Sequence, residues 1–283
     1  MMREMIESNR VRNSSGLGLL ATLAVVGMLS GCSTPQEKKS LQELIDQQTP
    51  ILKELASYQS ERQRRAVNRF LKLGHKQGSE VAVWFLNDPA VTDNERVTVL
   101  LAWMLASWKD RRGTPFLLDS LESNDSGVLR LAEEALINYG PDDPLASRLG
   151  DVLEGSKNSD ARLAAASVLS RMKTSRSVDL LGSHLKGKEE PIKEVRVNCL
   201  FGIEKSAPSR ARLGYLVDSL TDPDIEIREL AWQVLQREDR FWNAVKPDQE
   251  PATLYHPASE PKDMAGSIAS IKRWVEKYGG RIY

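Results

Sequence analysis

The chain has 283 residues, with 39 basic and 39 acidic side chains, so its formal charge at pH 7 is zero. That balance excludes the Lys and Arg excess with which nucleic-acid binders neutralise phosphates. Two cysteines permit at most one intramolecular disulfide, and sparse aromatics (6%) with short β-branched runs lean the composition towards helix.

At the amino end a polar leader carrying Arg3, Arg10 and Arg12 precedes an apolar run from Leu17 to Leu29. The run is too short to span a bilayer, which takes roughly 20 apolar residues. Its length and small-residue exit suit the core of a secretory signal. It closes on Leu29-Ser30-Gly31-Cys32, which resembles the lipobox of bacterial lipoproteins at all four positions. The resemblance implies that residues 1–31 are a signal peptide recognised through Leu29, Ser30 and Gly31. It also implies that the Cys32 thiol is the lipidation site and that the new amine is acylated, commonly with palmitate. The rival readings are a secretory signal with a chance cysteine and a buried helix. Gly16, Gly18, Gly27 and Gly31 would weaken such a helix by about 1 kcal/mol each. Without residues 1–31 the chain carries 36 basic and 37 acidic groups. Cys199 then has no disulfide partner.

Residues 32–40 read as a polar tether. Eight residues from Ser33 to Ser40 reach at most about 28 Å, so the body stays near the membrane that holds Cys32. Ser33 stands where an aspartate marks inner-membrane retention in enteric-type lipoproteins. The resemblance therefore implies an outer-membrane anchor, with the body in the periplasm of a bacterial cell envelope. Residues 41–59 are expected to form capping helices, one through Leu41, Leu44 and Ile45, and a second opened by Pro50.

An internal register follows over 60–240. Arg96, Arg130, Arg162, Arg196 and Arg228 succeed one another at spacings of 34, 32, 34 and 32, with Arg65 a weaker member. Apolar residues follow most of these arginines at i+3, i+4 and i+7, as in Ala165, Ala166 and Leu169, the pattern of a helix with one buried stripe. About fifteen residues further on a second stripe appears, for instance Leu213, Leu216, Val217 and Leu220. Turn residues such as Ser123-Asn124-Asp125 and Thr221-Asp222-Pro223-Asp224 separate the units. Each unit is thus a helix hairpin that buries both stripes only by stacking, which predicts an all-α solenoid.

The segments DARLAAASVLSRMKTSRSVDLLGSHL and DIEIRELAWQVLQ resemble HEAT repeats, particularly the short bacterial form of phycobilin-lyase-type proteins. One arginine per unit is read as a stacking device that bonds helix-end carbonyls and a neighbouring carboxylate. Asp93, Asp125, Asp160, Glu194 and Glu226 are the expected partners. Residues 241–283, with Pro247, Pro251, Pro257 and Pro261 before an amphipathic helix ended by Gly279-Gly280, are expected to cap the stack. A ligand pocket around Tyr255, His256 and Trp274 is the alternative use of this end.

Catalysis needs a nucleophile, base or metal set converging on one cleft. His75, His184 and His256 are dispersed, and no zinc, nucleophile-elbow or phosphate-loop motif is present. No catalytic residue, metal ligand or cofactor is therefore expected. Trp108, beside Arg111 and Arg112, has the composition of a partner-binding hot spot, with core packing as its other reading. Two functions stay open: a non-catalytic scaffold or adaptor for an envelope protein or peptide, and, from the lyase resemblance, an enzyme or chaperone that handles a chromophore or small molecule.

Overall fold

The computed structural model describes residues 40–185, 190–237 and 255–282. The lipobox with Cys32, the tether to residue 39, and Pro247 and Pro251 lie outside the described residues. Those described are helical, with no strand among them, and no described helix is long and apolar enough to cross a membrane.

Two helices, α1 (Leu41–Leu55) and α2 (Ser60–Leu71), lead into α3 (Gly74–Leu86) and the single turn α4 (Pro89–Thr92). Four hairpins and a final pair of helices follow. Their first helices are α5 (Glu95–Ser107), α7 (Ser126–Tyr139), α9 (Ser159–Met172), α11 (Lys193–Glu204) and α13 (Ile225–Gln236). Their second helices are α6 (Thr114–Ser120), α8 (Asp143–Gly155), α10 (Ser175–Ser183), α12 (Arg210–Asp218) and the terminal α14 (Ala265–Ile282). Each first helix packs on the next first helix, and from α8 onward each second helix on the next second helix. The body is an all-α solenoid of stacked helix pairs.

Local chemistry explains where the helices begin. Asn94, Asp125, Asn158 and Asp224 cap the first helices, accepting from backbone N–H groups two or three residues on. Asp142, Thr174 and Ser209 do the same for second helices. Such caps satisfy helix-end donors, at about 1 kcal/mol each. Between the rows lies one apolar core, in which Val99, Leu136, Leu169, Leu200 and Leu235 are sealed from solvent. Burying a side chain of that size contributes about 1.5–3 kcal/mol.

Three expectations change at the ends and in the register. Pro50 does not divide residues 41–59 into two helices, because α1 runs through it. Pro50 is exposed there, and an exposed carbonyl that loses its helical donor to proline can turn to water. At the other end, α14 continues past Gly279-Gly280 to Ile282. Its Ile268, Ile271, Trp274 and Val275 are buried, so tertiary packing outweighs the weak helix preference of glycine. Arg130 is exposed and forms no ion pair among the described residues. Arg162, Arg196 and Arg228 each stand four residues after their N-cap, whereas Arg130 stands five after Asp125. One residue turns a side chain by about 100° around a helix, which carries Arg130 off the stacking face and leaves Leu129 in the equivalent position.

Candidate interaction face and arginine ladder

The position four residues after the N-cap reaches back to the carbonyl six residues earlier. Thr98 donates to Thr92 at 3.3 Å, Arg162 Nη1 to Ser156 at 2.9 Å, Arg196 Nη1 to Glu190 at 2.9 Å and Arg228 Nη1 to Asp222 at 2.8 Å. The other edge of each guanidinium grips the next unit. Arg162 donates from Nε (2.8 Å) and Nη2 (3.2 Å) to the Glu190 carboxylate, and Arg196 from Nε (2.9 Å) and Nη2 (3.1 Å) to Asp222. Arg228 donates to the carbonyls of Pro257 and Ser259 in the carboxyl-terminal segment.

Glu190 and Asp222 are therefore shared nodes. Each offers its carboxylate to the preceding unit's arginine and its carbonyl to its own unit's arginine. The carboxylates also accept the N–H of Ile192 (2.9 Å) and Asp224 (2.8 Å). Ile192, at the N-cap position of α11, has no capping side chain, and the bond from its N–H to Glu190 fixes the chain just before that helix. The pairs are buried as well as bidentate, since the side chains of Arg196 and Asp222 are 5% and 0% exposed. Burial makes such a pair intolerant of losing one partner.

Arg96 belongs to a looser version. It bonds Asp125 through Nε (3.0 Å) and Nη2 (2.6 Å), yet both side chains remain about a third exposed, and its guanidinium stacks over Tyr58 at 4.1 Å. Of the acidic partners expected from sequence, Asp125 alone receives an arginine of the register. Glu226 pairs instead with Lys193 at 2.5 Å, and Asp93, Asp160 and Glu194 bond none of these arginines. The nodes lie two residues before the N-cap, a position also occupied by Ser123 and Ser156 in earlier units. Their signal in sequence is an acidic residue that replaces serine at that offset.

Trp108, Arg111 and Arg112 do come together, at the end of α5, and each already has a neighbour. The half-buried Trp108 ring lies over Gly78 of α3, where an added Cβ would fall 2.2 Å from it. Arg111 pairs with Asp142 at 2.6 Å and sits over the Tyr139 ring at 4.6 Å. Arg112 bonds Asp110 at 2.7 Å and Glu80 at 2.8 Å, and its guanidinium holds the Asp110 carboxyl below the usual carboxylate range. The cluster ties α3 to α5, and α5 to the α7–α8 hairpin.

Tyr255 is buried against Trp232, with ring centroids 5.0 Å apart, and donates its hydroxyl to the Leu220 carbonyl at 3.0 Å. His256 beside it is exposed. Among the described residues no group of three metal-ligating side chains forms. Cys199 is fully buried in α11, and that burial, followed by the nearby Glu190 charge, pushes its thiol up. Because the thiolate is the reactive form, Cys199 should resist iodoacetamide at pH 8 in the folded protein and react readily in denaturant. Equal labelling rates with and without denaturant, measured by intact mass, would refute this placement.

The recess that crosses the first-helix row lies between α7, α9 and α11 and holds about 260 Å³. Its floor includes the half-buried Leu129 and Leu163, with Glu133, Ser126, Asp160 and Asn198 around them. Ser167 donates to Glu133 at 2.5 Å across the α7–α9 seam. This face offers apolar area framed by hydrogen-bonding groups.

No protein-family description matches the sequence, and no protein of established function matches it. Among solved structures, the chain is similar to the complex of CpcE and CpcF of phycocyanin lyase from Nostoc sp. PCC7120. The identity is 16%, with 74% of this chain and 80% of that chain covered and a TM-score of 0.39. It is similar to human deoxyhypusine hydroxylase in complex with glycerol, at 16% identity, covering 69% of this chain and 96% of that one, with a TM-score of 0.33. It is also similar to an archaeal HEAT-like repeats protein from Thermococcus onnurineus NA1. There the identity is 15%, with 81% and 97% covered and a TM-score of 0.44.

Proposed function

We propose that this chain is a lipid-anchored protein of the bacterial cell envelope whose solenoid is a non-catalytic scaffold for another protein or peptide. The recess across α7, α9 and α11 carries the scaffold reading, because it places Leu129 and Leu163 within one polar frame, the make-up of a contact surface. The arginine ladder supports it by holding successive units in register, so that this row of helices presents a pre-organised surface. The Leu-Ser-Gly-Cys tetrapeptide supports the anchor. Tethering of this kind raises the local concentration of the body near membrane partners.

Replacing Cys32 tests the anchor. The Cys32→Ser chain should lose metabolic labelling with a clickable palmitate analogue and leave the membrane fraction. Unchanged labelling and sedimentation would reject the anchor. For the scaffold, a photocrosslinker at Leu163 should trap one discrete species in envelopes, whereas one at exposed Asp151, on the second-row helix α8, should not. Indistinguishable crosslinking from both positions would reject the recess as the contact.

A further inference from the structure

We propose that the exposed face of α2 is a second membrane contact, a cationic surface for anionic phospholipid headgroups. The proposal rests on the anchored reading above. Helix α2 buries Ala66, Val67 and Phe70 against the body. Arg62, Arg65, Arg69 and Lys72 follow one another at steps of three, four and three residues, which sets them in one stripe. They line an open groove of about 670 Å³ with Asn68 and Glu54.

Charge is unevenly distributed in this neutral chain. Seven basic and two acidic side chains lie between residues 53 and 76, a local excess of five positive charges. Glu61 is paired with Arg64, and Glu54 with Arg69. Arg62, Arg65 and Lys72 are exposed and form no ion pair among the described residues. The contrast with Arg162 and Arg196 is physical: those guanidiniums are held by buried carboxylates, whereas these three side chains are exposed and pair with no carboxylate among the described residues. Guanidinium forks suit phosphate oxygens, and a polybasic face is attracted to an anionic leaflet within about a Debye length.

Chain length selects lipid over an acidic protein as the occupant. Cys32 precedes the first residue of α1 by nine positions, so a bilayer holding Cys32 lies no more than about 32 Å of chain from Leu41. α1 adds about 22 Å of helix before the turn into α2. Anchoring thus confines the start of α2 to within about 54 Å of the headgroups, which allows this face to meet them, and an acidic partner is under no such constraint.

The test uses the full acylated chain reconstituted on vesicles of phosphatidylcholine alone, or of phosphatidylcholine mixed with phosphatidylglycerol. Phenylglyoxal modification of Arg62 and Arg65 is read by mass spectrometry, with the exposed Arg130 as internal reference. Each cation at an anionic surface is worth about a fivefold bias. Modification of both arginines should therefore slow at least that much on the anionic vesicles; the protection should vanish in high salt, and that of Arg65 should vanish with Lys72→Glu and Arg62→Glu together. Equal modification on both vesicles overturns the proposal, as does protection by added polyglutamate with none from phosphatidylglycerol. The salt series needs no variant, so a misfolded double mutant does not stop the test. Flotation on phosphatidylcholine alone reports the anchor separately. If it fails, protection on anionic vesicles still decides for or against the face.

Discussion

Asp222→Ala should destabilise the α11–α13 region by about 3–5 kcal/mol, the cost of stranding one member of a buried ion pair. Asp222 holds two donors of Arg196 and the N–H of Asp224. With the carboxylate gone, the Arg196 guanidinium stays buried and keeps only its Nη1 bonds to the carbonyls of Glu190 and Pro191. Asp222→Asn keeps an acceptor for Asp224 and separates the loss of charge from the loss of the backbone bond. Asp125→Ala is the control, because its pair with Arg96 is partly solvated. It should cost about 1 kcal/mol for the exposed pair and about 1 more for the lost cap. Hydrogen exchange resolved by helix is the suitable measurement, since stacked repeats can open in segments. Equal effects of the Asp222 and Asp125 substitutions would show that the buried nodes do not hold the stack.

Gly202→Ala is the second large effect, and it has an unusual control. A Cβ at Gly202 of α11 would lie 2.8 Å from the Ser170 Cα, 2.7 Å from its Cβ and 2.6 Å from a Leu181 methyl. Backbone on the α9 side cannot rotate away, so the first-helix rows of two units must separate. Overpacking of this kind costs about 1–3 kcal/mol, against the roughly 1 kcal/mol that alanine gains over glycine within a helix. Gly214 of α12 has nothing within 4 Å of the same added atom, so Gly214→Ala should stabilise by up to about 1 kcal/mol. Thermal unfolding of the two variants should therefore move in opposite directions. Movement in the same direction would contradict the close approach of α9 and α11.

Much of the candidate site was legible because it is written in local chemistry. Asp125, Asn158 and Asp224 mark helix starts through bonds that reach only two residues. Stripes such as Ala165, Ala166 and Leu169 declare a buried face by their spacing alone. The arginine register was legible in part. Arg130 kept the chain spacing while losing the helical phase, because spacing along the sequence does not record where the N-cap falls. The nodes Glu190 and Asp222 were harder, since their arginines lie 28 and 26 residues away and acidic residues nearer to those arginines looked equally suitable.

The close contacts were not legible at all. Whether Trp108 stands out as a hot spot or lies across Gly78 depends on how near α3 comes to α5, and no local preference carries that distance. Likewise, the passage of α14 through Gly279-Gly280 follows from a helix already docked by Ile271 and Trp274. Periodicity, capping residues and the lipobox-like tetrapeptide are properties of neighbouring positions, so the amino-acid order alone determined a stack of paired helices and the expectation of an anchor. Which arginines grip the next unit, and which face of α2 is left facing solvent, was decided by the stacked body. Those outcomes depend on distances between segments that meet only after the chain has folded.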